Sequence, residues 1–504
     1  MKTPGRKLAL AAMLALGANA VMAADLRIGL QDDPDILDPD QSRTFVGRIV
    51  YASLCDKLVD ITPELKIVPM LATGWKWSDD GMALTMTLRD DVTFQDGEKF
   101  DAEAVKYNIE RSQTLPESRR KNEVKSIASV EVTDPYTVTF HLKGKDATLL
   151  AQFADRAGMM VAPEAAKKAG ADFGLHPVCA GPFKFVERVQ QDKIVLEKYA
   201  GYYNADKIHF DKVTFLPIPD TTVRLANLRA GDLDMLERLA ATDIASAKAD
   251  ANLTVASATS LGYQGITFNT GNTDAAKNPF GESAKVRQAL SLAIDRNVIN
   301  QVVFNGAFAP GNQPFPPTSS WYDKDFPLQG RDVAKAKELL KEAGYPDGVK
   351  IQIQATNNPV QQQLMQVIQA MAAEAGIKID IVAKEFATLL KDQTAGAFEG
   401  SQIGWSGRVD PDGNIYGFVV TGAGLNDGHY SNAEVDAALN AARTSTDLAT
   451  RKASYDKAQA ILMQDLPIMY LYHPVWFWAL SKKVEGFTPY PDGMIRLQGV
   501  KFAE

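Results

Sequence analysis

In this chain of 504 residues, short runs of alternating apolar and polar side chains are interleaved with amphipathic helical patterns, and no internal repeat, low-complexity tract or flexible linker interrupts them. Leu84-Thr85-Met86-Thr87-Leu88, Val138-Thr139-Phe140-His141-Leu142 and Lys193-Ile194-Val195-Leu196-Glu197 alternate with period two, as half-buried strands do. Asp332 is placed to cap a helix over Val333 to Ala343, with Val333, Ala336, Leu339 and Leu340 on one face and Gly344 and Pro346 ending it. Lys285 to Val303 predicts a second helix, striped by Val286, Leu290, Ala293, Ile294 and Val298, and Gln361 to Ala375 a third. Such stripes read as core. The class is therefore mixed α/β. At about 100–200 residues per domain this is several domains' worth of chain, and without linkers the parts must be joined by packed strands. Tyr263 to Asn269 and Pro467 to His473 are the segments expected to cross. Two crossings make a hinge, and two lobes about a hinge enclose a cleft.

Composition narrows the function. The formal charge is −8, with no basic block, which argues against nucleic acid or an anionic membrane as partner. Lys2, Arg6 and Lys7, an apolar stretch from Leu8 to Val21, and Val21-Met22-Ala23 form a secretory leader with the cut expected after Ala23. No Cys follows that cut, so a lipid anchor is not indicated, and no later window reaches the length of a membrane span. Removing three cations takes the mature chain to −11. In an oxidising compartment Cys55 and Cys179 are expected to close a disulfide, the alternative being two buried thiols.

Catalytic chemistry finds little material. There is no HExxH, GxSxG, Walker loop or paired CxxC. Ser454-Tyr455-Asp456-Lys457 matches SxxK by chance in a charged helical stretch. The five His (141, 176, 209, 429 and 473) show no ligand spacing. No catalytic residue, metal site or cofactor is expected; a secreted peptide hydrolase is the alternative from another class. Asp32 to Asp40 lacks EF-hand spacing and reads as a solvated turn.

Several segments in order then resemble one family. Pro69 to Trp75, Ser78-Asp79-Asp80-Gly81, Val92 to Gly97 with Phe100 to Val105, Gly181 to Phe185, Pro217 to Asp220, Val286 to Leu290 with Ala293 to Arg296, Glu342 to Gly348, and Gly404-Trp405 with Asp410-Pro411-Asp412 are similar to the family 5 solute-binding proteins, the extracytoplasmic receptors of dipeptide, oligopeptide and nickel importers. The resemblance implies a two-lobed periplasmic-binding-protein fold (type II-like, cluster C) with an extra N-terminal subdomain and a two-strand hinge. The expected division is 24–264 for the first lobe, with a subdomain inserted at about 75–180, then 265–475 for the second lobe, and 476–504 returning to the first. It further implies a monomeric periplasmic receptor that closes on a peptide or peptide-like ligand and delivers it to an inner-membrane ABC permease with separate ATPase subunits. Nickel or haem cargo is the alternative within the family.

The loop Gly404-Trp405-Ser406-Gly407-Arg408-Val409-Asp410 carries the expected ligand contacts Trp405, Arg408 and Asp410, a flat aromatic beside charges at a strand end. In the family's peptide receptors, the third residue after this Trp is an Asp that pairs with the ligand's α-amino group. Here it is Arg408. The Arg that holds the carboxylate in dipeptide receptors aligns with Ala355. One anchor is inverted and the other absent, so an anionic, opine-like or conjugated ligand is expected in place of a free dipeptide, with Arg408 on the anion or else paired to Asp410 or Asp412. Tyr263, Asn269, Tyr472 and His473 on the crossing strands and Asn357 complete the expected contacts.

Overall fold

The computed structural model describes residues 24–503. The leader and its cleavage site lie outside the described residues. Among the described residues no helix is long and apolar enough to cross a membrane.

Two sheets organise the molecule. The first has seven strands in the order Leu253–Thr259, Val475–Ser481, Met235–Leu236, Asp25–Leu30, Lys212–Pro217, Lys193–Lys198 and Phe183–Val189. The second has six, in the order Ala309–Pro310, Ile468–His473, Tyr263–Phe268, Gly400–Trp405, Val349–Thr356 and Ile377–Lys384. Each builds its own apolar core, one around Leu26, Ile28 and Phe215 and the other around Ile266, Ile351 and Leu364. This is the two-lobed periplasmic-binding-protein fold, mixed α/β, in which the chain leaves the first sheet at Ser260-Leu261-Gly262 and returns at Pro474. The crossings are thus three residues and one residue long. Tyr263–Phe268 and Ile468–His473, expected to cross, lie wholly within the second sheet, because their apolar character reports burial in that sheet and not its connections.

A third body carries a four-stranded sheet, Ala72–Trp77, Ala83–Leu88, Thr137–Leu142 and Ile127–Asp134, with its own core. The period-two reading holds there: Leu84, Met86 and Leu88 are buried, and Asp79-Asp80-Gly81 makes the hairpin turn with Gly81 at φ +70°. The chain runs out to this body past Cys55 and comes back past Cys179. The two cysteines are bonded, with Cα atoms 4.9 Å apart, and Gly181 N–H donates to the Leu54 carbonyl beside them at 2.9 Å.

Asp332 caps Val333–Glu342 through the Lys335 amide, and Asn358 caps Pro359–Ala373. The predicted helix over Lys285 to Val303 is broken in two, Ala284–Ala293 and Arg296–Phe304, because Asp295 turns from helix residue to cap of the second. The break shifts the helical phase. Val286, Leu290, Ala293 and Ile294 stay buried, while Val298 is exposed.

Candidate functional site

Strand direction decides where the site forms. In the first sheet, Asp25–Leu30 runs parallel to Met235–Leu236, so their C-terminal ends release Gln31-Asp32 and Glu237-Arg238 at one edge. In the second, Val349–Thr356 runs parallel to Gly400–Trp405 and Ile377–Lys384, which end at Thr356, at Trp405-Ser406 and just before Phe386. Carboxyl ends of parallel strands are where open α/β sheets collect ligands. These ends face one another across a cavity also lined by Arg43, Phe45, Tyr263, Gln264, Gln361, Gln393, Phe418 and Asp427. Its enclosed volume is about 90 Å³.

Arg238 is the most telling residue in it. Its backbone sits at φ +51°, a left-handed conformation that costs a side-chain-bearing residue about 1 kcal/mol. Its guanidinium lies 4.7 Å from the Phe45 ring and 5.1 Å from Trp476, two rings that stack on each other. The nearest carboxylate oxygen is Glu237 Oε2, 3.5 Å from Nε, and Glu237 Oε1 is taken by the Gln31 amide at 2.6 Å. Neither Nη of Arg238 donates a hydrogen bond to any described residue. A cation held by aromatic faces with its fork open to a cavity is built to receive an anion.

Asp32 faces the same cavity. Burial pushes its carboxyl up to about 6, against the pull of Arg238 and with a smaller push from Glu237. Arg43 bridges to Asp427 at 2.5 Å and to Thr394 Oγ1 at 2.5 Å, contacts that join the first lobe to the second. Arg48 to Ser406 Oγ at 2.9 Å and Asn358 Nδ2 to the Pro219 carbonyl at 3.0 Å do the same.

Of the residues expected from sequence, Trp405 and Tyr263 line this cavity, paired directly across the sheet. Tyr472 lines an adjoining apolar chamber with Phe304, Phe308 and Trp476, which the main cavity reaches past Arg238. Arg408 lies behind Trp405, its guanidinium 4.1 Å from that ring and its Nε 3.1 Å from Asp155 Oδ2. Its partner is thus neither Asp410 nor Asp412. Asp410 is held by Arg451 at 2.7 and 3.0 Å, and Asp412 by Arg443. Asn269 donates to the carbonyls of Asn272, Gly396 and Phe398, tying two loops together away from the cavity. Asn357 is exposed and lines no part of it. His473 stands at the hinge. Its Nδ1 lies 2.8 Å from the Gly262 carbonyl, burial lowers its pKa to about 4, and Ser260 N–H donates to the Pro474 carbonyl beside it. The Asp32–Asp40 segment is not a solvated turn: Asp38 and Asp40 are buried on Arg111, and Asp33 on Arg188.

The family model for bacterial extracellular solute-binding proteins, family 5 Middle, matches residues 66–427. This chain belongs to that family. A glutathione-binding protein, GsiB, from Salmonella paratyphi A is 31% identical over 491 residues, covering 94% of this chain and 93% of the relative. The family 5 fold recurs in the periplasmic binding protein AgaA of A. tumefaciens R10, solved with agropinic acid (27% identity, TM-score 0.86, 95% of this chain and 99% of the other). It recurs again in a dipeptide-binding protein of Pseudoalteromonas sp. SM9913, solved with Met-Leu (26% identity, TM-score 0.87, 95% and 100%). Family 5 members are periplasmic solute-binding proteins of ABC importers, and this chain is one in sequence and fold.

The sequence does not mark Arg238, Phe45 or Arg43, and it reads Asp32 as part of a solvated turn. Only the three-dimensional meeting of strand ends singles them out. The one available signal was position: Asp32 and Arg238 each follow a short apolar strand by two residues.

Proposed function

We propose that this chain, after loss of residues 1–23, is a monomeric periplasmic receptor that captures a carboxylate-bearing peptide or peptide-like solute by lobe closure and delivers it to an ABC permease. The observation that supports the reading is Arg238, fork open, at the junction of the two lobes. Solute enters while the lobes are apart, places its carboxylate on Arg238, and stacks on Trp405. Closure about Ser260–Gly262 and Pro474 then forms the Arg43–Asp427 and Asn358–Pro219 contacts. The solute shifts the equilibrium by its extra affinity for the closed form. Asp32, partly protonated near neutrality, can accept a solute ammonium or donate to a second carboxylate. The relatives' solutes, glutathione and agropinic acid, both carry carboxylates, and we place this chain's solute in that class. The solute leaves unchanged.

Isothermal titration calorimetry with glutathione and agropinic acid tests this. One-to-one binding of either at micromolar Kd or tighter, worth about 8 kcal/mol or more, supports it if mass spectrometry recovers the solute intact. Hydrolysis of the bound peptide, or no binding to any carboxylate-bearing peptide or opine, would sink it.

A further inference from the structure

Behind Trp405, where the four-stranded body meets the second lobe, four guanidiniums are buried together. Arg48, Arg120, Arg156 and Arg408 are exposed by 3%, 0%, 1% and 7%. Two carboxylates answer them. Asp155 pairs with Arg48 and with Arg408, and lies 3.8 Å from Arg156 Nε; Glu123 pairs with Arg120. The remaining acceptors are neutral: the Ser42 carbonyl, the Gly407 carbonyl and Ser406 Oγ. Three nitrogens are left buried without a hydrogen-bond partner among the described residues, Arg120 Nε, Arg156 Nε and Arg408 Nη2. An unmatched charge of this kind is strongly destabilising in a protein interior unless something neutralises it.

A cavity of about 40 Å³ opens at this seam. Arg408 lines it, together with Arg119, Asn122 and Gln152 from the four-stranded body. The Arg119 guanidinium and the Gln152 amide make no hydrogen bond to a described residue. The carboxylates on its wall are already matched, Asp412 by Arg443 and Glu123 by Arg120.

We propose that this seam cavity binds a small anion of chloride or carboxylate size, received by Arg408 Nη2, Arg119 and the Gln152 amide. The anion ties the inserted body to the second lobe. The inference rests on the charge imbalance at the seam and stands apart from the Arg238 reading. The anion has two possible sources. It is either a free ion, or a carboxylate of the solute reaching past Trp405, whose ring walls both cavities.

The test uses the mature protein without solute, in the salt of a bulky sulfonate that carries no carboxylate. Chloride or formate replaces the sulfonate at constant ionic strength while the unfolding midpoint is recorded. A saturable rise of a degree or more, at least halved in Arg119→Gln and in Gln152→Leu, identifies a free-ion site. Both variants leave the Asp155 ion pairs intact, so they are informative where Arg408→Gln fails to fold. If free ions have no effect but glutathione affinity falls tenfold or more in these variants, the anion is the solute's own. If the midpoint ignores chloride and formate and the variants bind glutathione as wild type does, the proposal is wrong. The free-ion arm decides alone if glutathione does not bind.

Discussion

Replacing Arg238 by glycine removes the guanidinium that faces the main cavity with little disturbance to the backbone. The residue sits at φ +51°, so glycine relieves about 1 kcal/mol of left-handed strain, which offsets the packing lost against Phe45 and Trp476. The unfolding midpoint of the empty protein should therefore fall by a few degrees, the cost of leaving Glu237, 2% exposed, without its partner at 3.5 Å. Binding should respond differently. A solute carboxylate in this cavity loses its charge-assisted partner and is left facing Glu237 and Asp32, a truncation that costs about 2–4 kcal/mol, or roughly 30- to 900-fold in Kd. Arg238→Lys keeps the charge but not the planar fork, and should fall between the two. Calorimetry with glutathione, paired with a melting curve for each variant, reads both quantities. A Kd within twofold of wild type in a folded Arg238→Gly protein would show that Arg238 does not hold the solute's carboxylate.

Asp32 makes binding pH-dependent. Its carboxyl is raised from 3.8 to about 6, chiefly by burial, and Arg238 is the cation that opposes the rise. An anion on Arg238 weakens that opposition, so binding takes up a proton and affinity should climb as pH falls from 7 to 5. Asp32→Asn should flatten the profile. Because the folded state holds this proton more tightly than the unfolded state, stability from Asp32 is present below about pH 4 and is lost as pH rises through 6. Asp32→Asn should therefore stabilise the empty protein at pH 7, as urea titration would show. Arg43→Ala breaks an inter-lobe pair whose side chains are 11% and 8% exposed. It should raise the Kd for glutathione by roughly 10- to 100-fold and enlarge the radius of gyration by X-ray scattering; an unchanged radius and Kd would show that the pair does not hold the lobes together. Cys55→Ser with Cys179→Ser opens a loop spanning 124 residues and should lower stability by about 4–5 kcal/mol in the chain-entropy model, with Kd in the folded protein within twofold.

The class of fold was legible because periodicity reports burial directly. The Leu84–Leu88 and Val138–Leu142 alternations became neighbouring strands, joined by Thr85 and Thr139 hydroxyls 2.9 Å apart. Connections were less legible. The crossings are Ser260–Gly262 and Pro474, too short to carry a period, and the buried strands beside them dominate the pattern. Trp405 and Tyr263, which line the main cavity, are legible because aromatic residues at a strand end stand out in any chain. Arg238 is not, since its place on the cavity wall depends on a positive φ and on Phe45 and Trp476, which are far apart in sequence. Arg408 was singled out as an inverted charge, and the structure gives it a partner, Asp155, far away in sequence and on a different body. Single positions in a loop cannot reveal such pairings.

Native mass spectrometry of the gently purified protein reads the bound solute itself. The expected result is a single small molecule bearing at least one carboxylate, bound one-to-one, chemically intact, and absent from Arg238→Gly protein prepared in the same way. A cationic or metal-only ligand, or a carboxylate-bearing one retained equally by the variant, would contradict it.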